Sequence, residues 1–548
     1  MLAQSEPTHR RFPLAPVASL LIAALLPLLA STASANVHLA GIFSDHMVLQ
    51  AGATVPVWGI AEPGETVTIT LLPDAPHHAT AASESAATET SDEKSAVASP
   101  TATQTAVADT DGRFRAELTS LAVSDQPLVL NAAAASGSDA VHDVLVGEVW
   151  VCSGQSNMEL SLKGVENGRE IAKTTNDSLL RLCQVGKTAT TQPVTDRHMV
   201  WSVTNPISAV KFSAVGLFFG QHLRKSLNCP VGLIESAVAG TTCEAWTPLN
   251  ALQSAPALKP YLDQLSGAVK AATTRPKSFD AGAPTSLYNG MISPLVPFAI
   301  KGVVWYQGES NVEKSQLYRT LFPAMITAWR KNWGEGDFPF IFVQLPGFQK
   351  QLAEPDQSPW AMMREAQLSA LFLPNTYFAV TIDLSMPSQI LHPKIKKPVG
   401  ERLAMQAEQH VYHLNVVADG PKLQKTQYDG NTVHITFTNT GGQLKIMPNS
   451  TTAHPAPTTE SDESADTTQP DVDSSSAPKL EGFTMAGVDH NKFFNADATI
   501  DGDTVVLHCP QVDKPTAVRY GWAENPRVNL YNAAGQPAAP FRTDRYPQ

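Results

Sequence analysis

Apolar residues along this chain fall into three regimes, and each predicts a different architecture. In the middle, nearly continuous apolar runs recur: Val144 to Cys152, interrupted only by Gly147-Glu148, then Val231 to Ile234, Val303 to Tyr306, Phe340 to Val343 and Tyr377 to Ile382. Runs that are apolar on both faces are what the strands of a buried parallel sheet require. Between them, Val210 to Lys225 and Leu317 to Trp333 repeat apolar residues at helical spacing, the second with Leu317, Leu321, Met325 and Trp329 on one stripe. Residues 144–412 are therefore read as an α/β unit with a doubly wound parallel sheet.

The flanks alternate instead. Thr66 to Leu71 switches between polar and apolar, and short strands are predicted at Val55 to Trp58 and Arg113 to Arg115, which suits a β-sandwich over residues 36–143. Thr432 to Phe437 and Thr504 to Leu507 predict a C-terminal β domain over 413–548. Two stretches, 74–109 and 449–478, are rich in small, polar and acidic residues without periodicity, and both are expected to be disordered insertions.

Composition narrows the function. Among 548 residues, Lys and Arg number 39 against 51 Asp and Glu, a formal charge of -12, with no basic stripe, so nucleic acid is not an expected partner. Glu460, Asp462, Glu463, Asp466, Asp471 and Asp473 crowd into the second insertion, a run of the kind that is usually just solvated. Residues 1–35 carry Arg10 and Arg11, an apolar stretch from Leu14 to Ala30 and a small-residue end at Ala33-Ser34-Ala35, the pattern of an export leader. No later stretch is long and apolar enough to span a bilayer, so the mature chain is expected in the periplasm or outside the cell. The five cysteines form no CxxC pair, which argues against a structural zinc site. Their odd number leaves at least one unpaired, and the pattern gives no oligomeric state.

Candidate chemistry gathers where the central runs end. Gly154-Gln155-Ser156-Asn157-Met158 follows the first, Ala239-Gly240-Thr241 the second, Gln307-Gly308-Glu309-Ser310-Asn311 the third, and Asp383 closes the fifth upstream of His392. Hydrolysis of an ester through a serine needs a nucleophile, a base and oxyanion donors. Ser156 is the candidate nucleophile and His392 the base, since imidazole titrates near neutral pH. The backbone N–H groups of Ser156 and Gly240 and the side-chain amide of Gln307 are the expected oxyanion donors. Asp383 is the preferred third catalytic member, with Glu309 as the other carboxylate at hand and a Ser/His pair oriented by a backbone carbonyl also open. Asn157, Glu309, Asn311 and Trp246 are assigned to substrate. Trp58, Trp305 and Trp522 could also stack on sugars, although buried packing is the commoner fate of tryptophan.

At these residues the chain resembles the sialate O-acetylesterase family, among the SGNH-type hydrolases and carbohydrate acetylesterases. The resemblance lies in Gly147-Glu148-Val149-Trp150 with Ser153 to Met158, Gly240-Thr241 with Glu244 and Trp246, Trp305 to Asn311, and His392-Pro393 leading to Gly400 and Arg402-Leu403. It extends to Phe43 through Gln50, Val518 through Tyr520 and Pro540 through Arg542, and so covers the chain apart from the leader and the two insertions. It implies an SGNH-type hydrolase unit flanked by the two β regions. It also implies removal of acetyl groups from sugar hydroxyls of sialic acids or plant polysaccharides, with Ser156 and His392 as nucleophile and base and neither a metal nor an organic cofactor. Many SGNH hydrolases place an aspartate three residues before this histidine, where Gln389 stands here. A glycan-binding protein without turnover is the rival reading. A lipase or peptidase elbow is disfavoured, because Met158 occupies the second glycine position of GxSxG.

Overall fold

The computed structural model describes residues 36–74, 101–274, 280–355, 357–447, 478–490 and 492–544. The leader, residues 75–100 of the first predicted insertion and nearly all of the second lie outside these ranges.

One strand organises the molecule. Gly137–Gly154 runs for 18 residues, half-buried and alternating at its start and almost wholly buried from Val144 onward. Its first half pairs antiparallel with Ser124–Ala134, and its second half lies between Val231–Ala237 and Gly302–Tyr306, parallel to both. The boundary expected between residues 143 and 144 therefore falls inside an unbroken strand. The N-terminal β region and the α/β unit share one backbone ladder, part of an eleven-stranded sheet.

A second difference concerns the first insertion. Ala102–Val107, assigned above to disorder, is a strand paired with Thr66–Pro73. Its sequence, ATQTAV, lies mostly exposed at the sheet edge. An edge strand that buries little shows no apolar alternation to read.

Through the α/β unit the strand order is Trp201–Thr204, Asp177–Gln184, Val231–Ala237, Gly137–Gly154, Gly302–Tyr306, Phe340–Val343 and Thr376–Ala379. All neighbours are parallel except the first pair. The chain fills one side of the long strand and then crosses to the other. The carboxyl end of Gly137–Gly154 is thus the point where the winding reverses, which is where open α/β sheets leave a crevice for ligands. Helices Ala214–Leu227 and Ser315–Trp333 bury their apolar stripes in the common core, with Leu321, Met325 and Trp329 fully enclosed.

Beyond helix Lys397–His410, two four-stranded antiparallel sheets form a core of their own, which also takes in Ile382 from the α/β unit. The five cysteines are free thiols, all buried. No helix of the described residues is long and apolar enough to cross a membrane.

Candidate active site

The turn after the long strand is built on Gly154. Its φ is +137°, and a Cβ added there would lie 2.1 Å from the Tyr306 carbonyl oxygen on the neighbouring strand. Glycine alone permits this approach, which lets the Gln155 N–H donate to that same oxygen at 3.0 Å. The chain then turns into the short helix Ser156–Glu159, which starts on Ser156. The His392 ring arrives from a loop 236 positions away, with Nε2 2.9 Å from Ser156 Oγ. Burial, and then the Lys396 ammonium, hold the imidazole pKa below its ordinary value. The ring therefore stays neutral, and able to accept the serine proton, to lower pH than a free imidazole would.

The Ala239-Gly240 loop lies beside this turn. Val238 N–H donates to the Gly154 carbonyl at 3.1 Å and Ala239 N–H to Glu159 Oε2 at 2.5 Å. Gly240 is exposed with φ +73°, and among the described residues no backbone acceptor takes its N–H. Together with the first N–H of the serine helix, it can serve as an oxyanion donor.

Gln307 does not fill the place expected of it. The side chain is fully buried, with Nε2 donating to Asn311 Oδ1 at 2.7 Å and Thr241 O at 3.3 Å, while Oε1 accepts from the Tyr318 hydroxyl at 3.1 Å. Both amide hydrogens are committed, so Gln307 acts on the Gly240-Thr241 loop and not on an oxyanion.

Three of the four residues assigned to substrate are likewise scaffold. Trp246 is buried, donates to Thr241 Oγ1 at 3.0 Å and packs edge-on against Trp305. Asn311 accepts from the Cys243 N–H and donates to Glu244 Oε2, both at 2.8 Å. Asn157 is enclosed behind the serine, where Nδ2 donates to Glu309 Oε1 at 2.6 Å and Leu391 O at 3.0 Å. Glu309, the fourth, is partly covered, and its carboxyl pKa is raised chiefly by burial.

Asp383 is also corrected. Its two oxygens accept from Arg402 at 2.7 and 2.6 Å, and Tyr531 donates to it at 3.0 Å. The Tyr531 bond ties the α/β unit to the C-terminal region. Among the described residues no carboxylate bonds His392. Gln389, which stands at the usual aspartate position, is buried and accepts from the Met386 N–H at 2.7 Å, bracing the turn into the short strand Ser388–Gln389, which pairs with Gln349–Lys350.

Lys396 escaped the sequence reading, since Lys394-Ile395-Lys396-Lys397 looks like a solvated charged run. It is 1% exposed. Its Nζ donates to Asn157 Oδ1 at 2.6 Å and sits 5.0 Å from the Tyr306 ring centroid. Burial pushes its pKa down to about 7 against the opposing pull of Glu309.

Fold and site together define an α/β protein with a serine–histidine pair at the switch point of a parallel sheet. A family model described as carbohydrate esterase, sialic acid-specific acetylesterase, matches residues 146–409. Sialate O-acetylesterase of Mus musculus is 30% identical over 444 residues, 72% of this chain and 77% of that protein. The Pongo abelii enzyme is 35% identical over 318 residues, 52% of this chain and 58% of that protein, so the match spans little more than half of the latter's length. The crystal structure of a carbohydrate acetylesterase from Xanthomonas citri superposes with a TM-score of 0.74 at 32% identity, covering 93% of this chain and all of that one. The chain belongs to the sialic acid-specific acetylesterase family of carbohydrate esterases.

Proposed function

We propose that this protein is an SGNH-type carboxylic ester hydrolase that removes O-acetyl groups from sugars through a serine acyl-enzyme, with O-acetylated sialic acids as the leading substrate class. The observation that carries this reading is the 2.9 Å contact between His392 Nε2 and Ser156 Oγ at the sheet's switch point. Ser156 Oγ attacks the acetyl carbonyl as His392 Nε2 takes its proton, and the Ser156 and Gly240 N–H groups receive the charge on the carbonyl oxygen. Collapse breaks the ester C–O bond, and the imidazolium returns the proton to the departing sugar oxygen. Water, deprotonated by the same ring, then attacks the acetyl-serine; acetate leaves and the proton goes back to Ser156. Export by the N-terminal leader, which would place the enzyme with extracellular or periplasmic glycans, belongs to the same proposal.

The test is acetate release from a panel of O-acetylated sialic acids, acetylated xylan fragments and acetylated pectin fragments. Wild type is expected to turn over at least one of them, and Ser156→Ala to lower the rate by more than about 1,000-fold while still folding. An active Ser156→Ala protein would remove the assignment. Turnover confined to the plant fragments would move the substrate class while leaving the mechanism intact.

A further inference from the structure

The segment that carries His392 is held at two points, and both lead to the residue next to the nucleophile. Just before the histidine, the Leu391 carbonyl accepts from Asn157 Nδ2 at 3.0 Å. Just after it, Lys396 Nζ donates to Asn157 Oδ1 at 2.6 Å. Asn157 Nδ2 also donates to Glu309 Oε1 at 2.6 Å, which fixes the amide plane against the end of strand Gly302–Tyr306. One amide thus joins the serine turn, the histidine loop and the third strand's end. A lysine is very rarely fully enclosed, because its charge loses water, and this one is kept with a neutral amide as its direct partner.

We propose that Lys396, Asn157 and Glu309 form a clamp that sets the Ser156–His392 geometry, with Lys396 as a positioning residue in place of the carboxylate that orients the histidine in a triad. The proposal rests on the esterase reading given above. The clamp works in two ways. Its hydrogen bonds fix the loop at Leu391 and Lys396, either side of the ring. Its cation adds to burial in disfavouring the imidazolium. The titratable groups facing Lys396 are Glu309 and Tyr306 across the contact and His392 on its own loop. Lys394 and Lys397 flank it on the exposed side, and the Glu166 N–H donates to the Lys394 carbonyl.

Lys396→Met removes the donor and the charge while keeping an unbranched chain. With the best substrate of the panel, kcat should fall at least 30-fold with KM within about threefold. The acid limb of kcat/KM should also move to higher pH, since loss of the cation lets the His392 pKa rise. Asn157→Ala should lower kcat comparably, and the double variant should be no slower than the worse single, as expected of groups acting as one unit. A folded Lys396→Met protein with wild-type kcat and an unmoved acid limb would overturn the clamp, as would multiplicative losses in the double variant. Should these variants fail to fold, NMR titration of the His392 ring in wild type and Glu309→Gln decides. The wild-type value should lie below that of a free imidazole, and a value at or above it overturns the proposal. This titration does not depend on turnover. An inactive wild type with a depressed His392 pKa would therefore refute the esterase reading and leave the clamp standing.

Discussion

His392 sets the pH behaviour at the residue scale. Its folded pKa is depressed by burial first and by the Lys396 cation second. The reaction needs the neutral ring, so activity is present above that pKa and lost as pH falls through it. The acid limb of kcat/KM should consequently lie below the ordinary imidazole value of about 6.5. A limb centred above about 6.5 would contradict the lowered His392 pKa. Gln307 is the second residue-scale case. Removing its side chain takes the Gln307 partner from the Tyr318 hydroxyl and from Thr241 O inside a closed core, and leaves Asn311 Oδ1 with the Cys243 N–H alone. Gln307→Ala should therefore cost at least about 1–3 kcal/mol of stability, measurable by urea unfolding, alongside its loss of turnover. Loss of turnover with unchanged stability would return Gln307 to the oxyanion. The residue types of this site were legible in the sequence, but which of them face substrate was not. Ser156, Asn157, Gln307 and Asn311 are all polar residues beyond a strand end, and only the approach of other segments encloses three of them.

At the scale of elements, the ion pair between Asp383 and Arg402 joins the turn after strand Thr376–Ala379 to helix Lys397–His410, and Tyr531 adds the C-terminal region to it. Asp383 is almost wholly buried, so Asp383→Asn leaves a guanidinium without its counter-charge and should destabilise the protein by about 3–5 kcal/mol. At a temperature where the variant is folded, kcat should stay within about threefold of wild type. A 1,000-fold fall in kcat with unchanged stability would make Asp383 the triad carboxylate after all. The strands missed by sequence reading have similar physical causes. Asp177–Gln184 carries Arg181 in its middle, a charge that breaks the apolar run, yet the side chain is buried and forms a two-pronged pair with Asp143 at 2.6 and 3.1 Å. Trp201–Thr204 is a four-residue edge strand, too short for any period to show. The uninterrupted runs at Val231, Val303 and Phe340 needed no such partner, and each became a strand where its pattern predicted one.

For the whole molecule, the question is whether the α/β unit can stand without its flanks. At the N-terminal side the answer lies in the long strand, since removing residues before 144 would cut through a continuous ladder. At the other side it lies in Arg364, which is fully buried at the junction with the C-terminal region. It donates to the carbonyls of Pro346 at 3.2 Å and Glu524 at 3.4 Å, and also to that of Ala523, and burial pushes its pKa down to about 9. Backbone oxygens of the C-terminal segment thus carry much of the solvation of an enclosed charge, and Ile382 extends the same dependence to apolar packing. A fragment ending at residue 412 loses these acceptors and the Tyr531 bond to Asp383 together. It should express as aggregate, whereas the chain through residue 544 should unfold in a transition that α/β and C-terminal probes report alike. A soluble 36–412 fragment with wild-type turnover would show instead that the C-terminal sheets are an independent attachment, and that Arg364 finds water or another partner once they are gone.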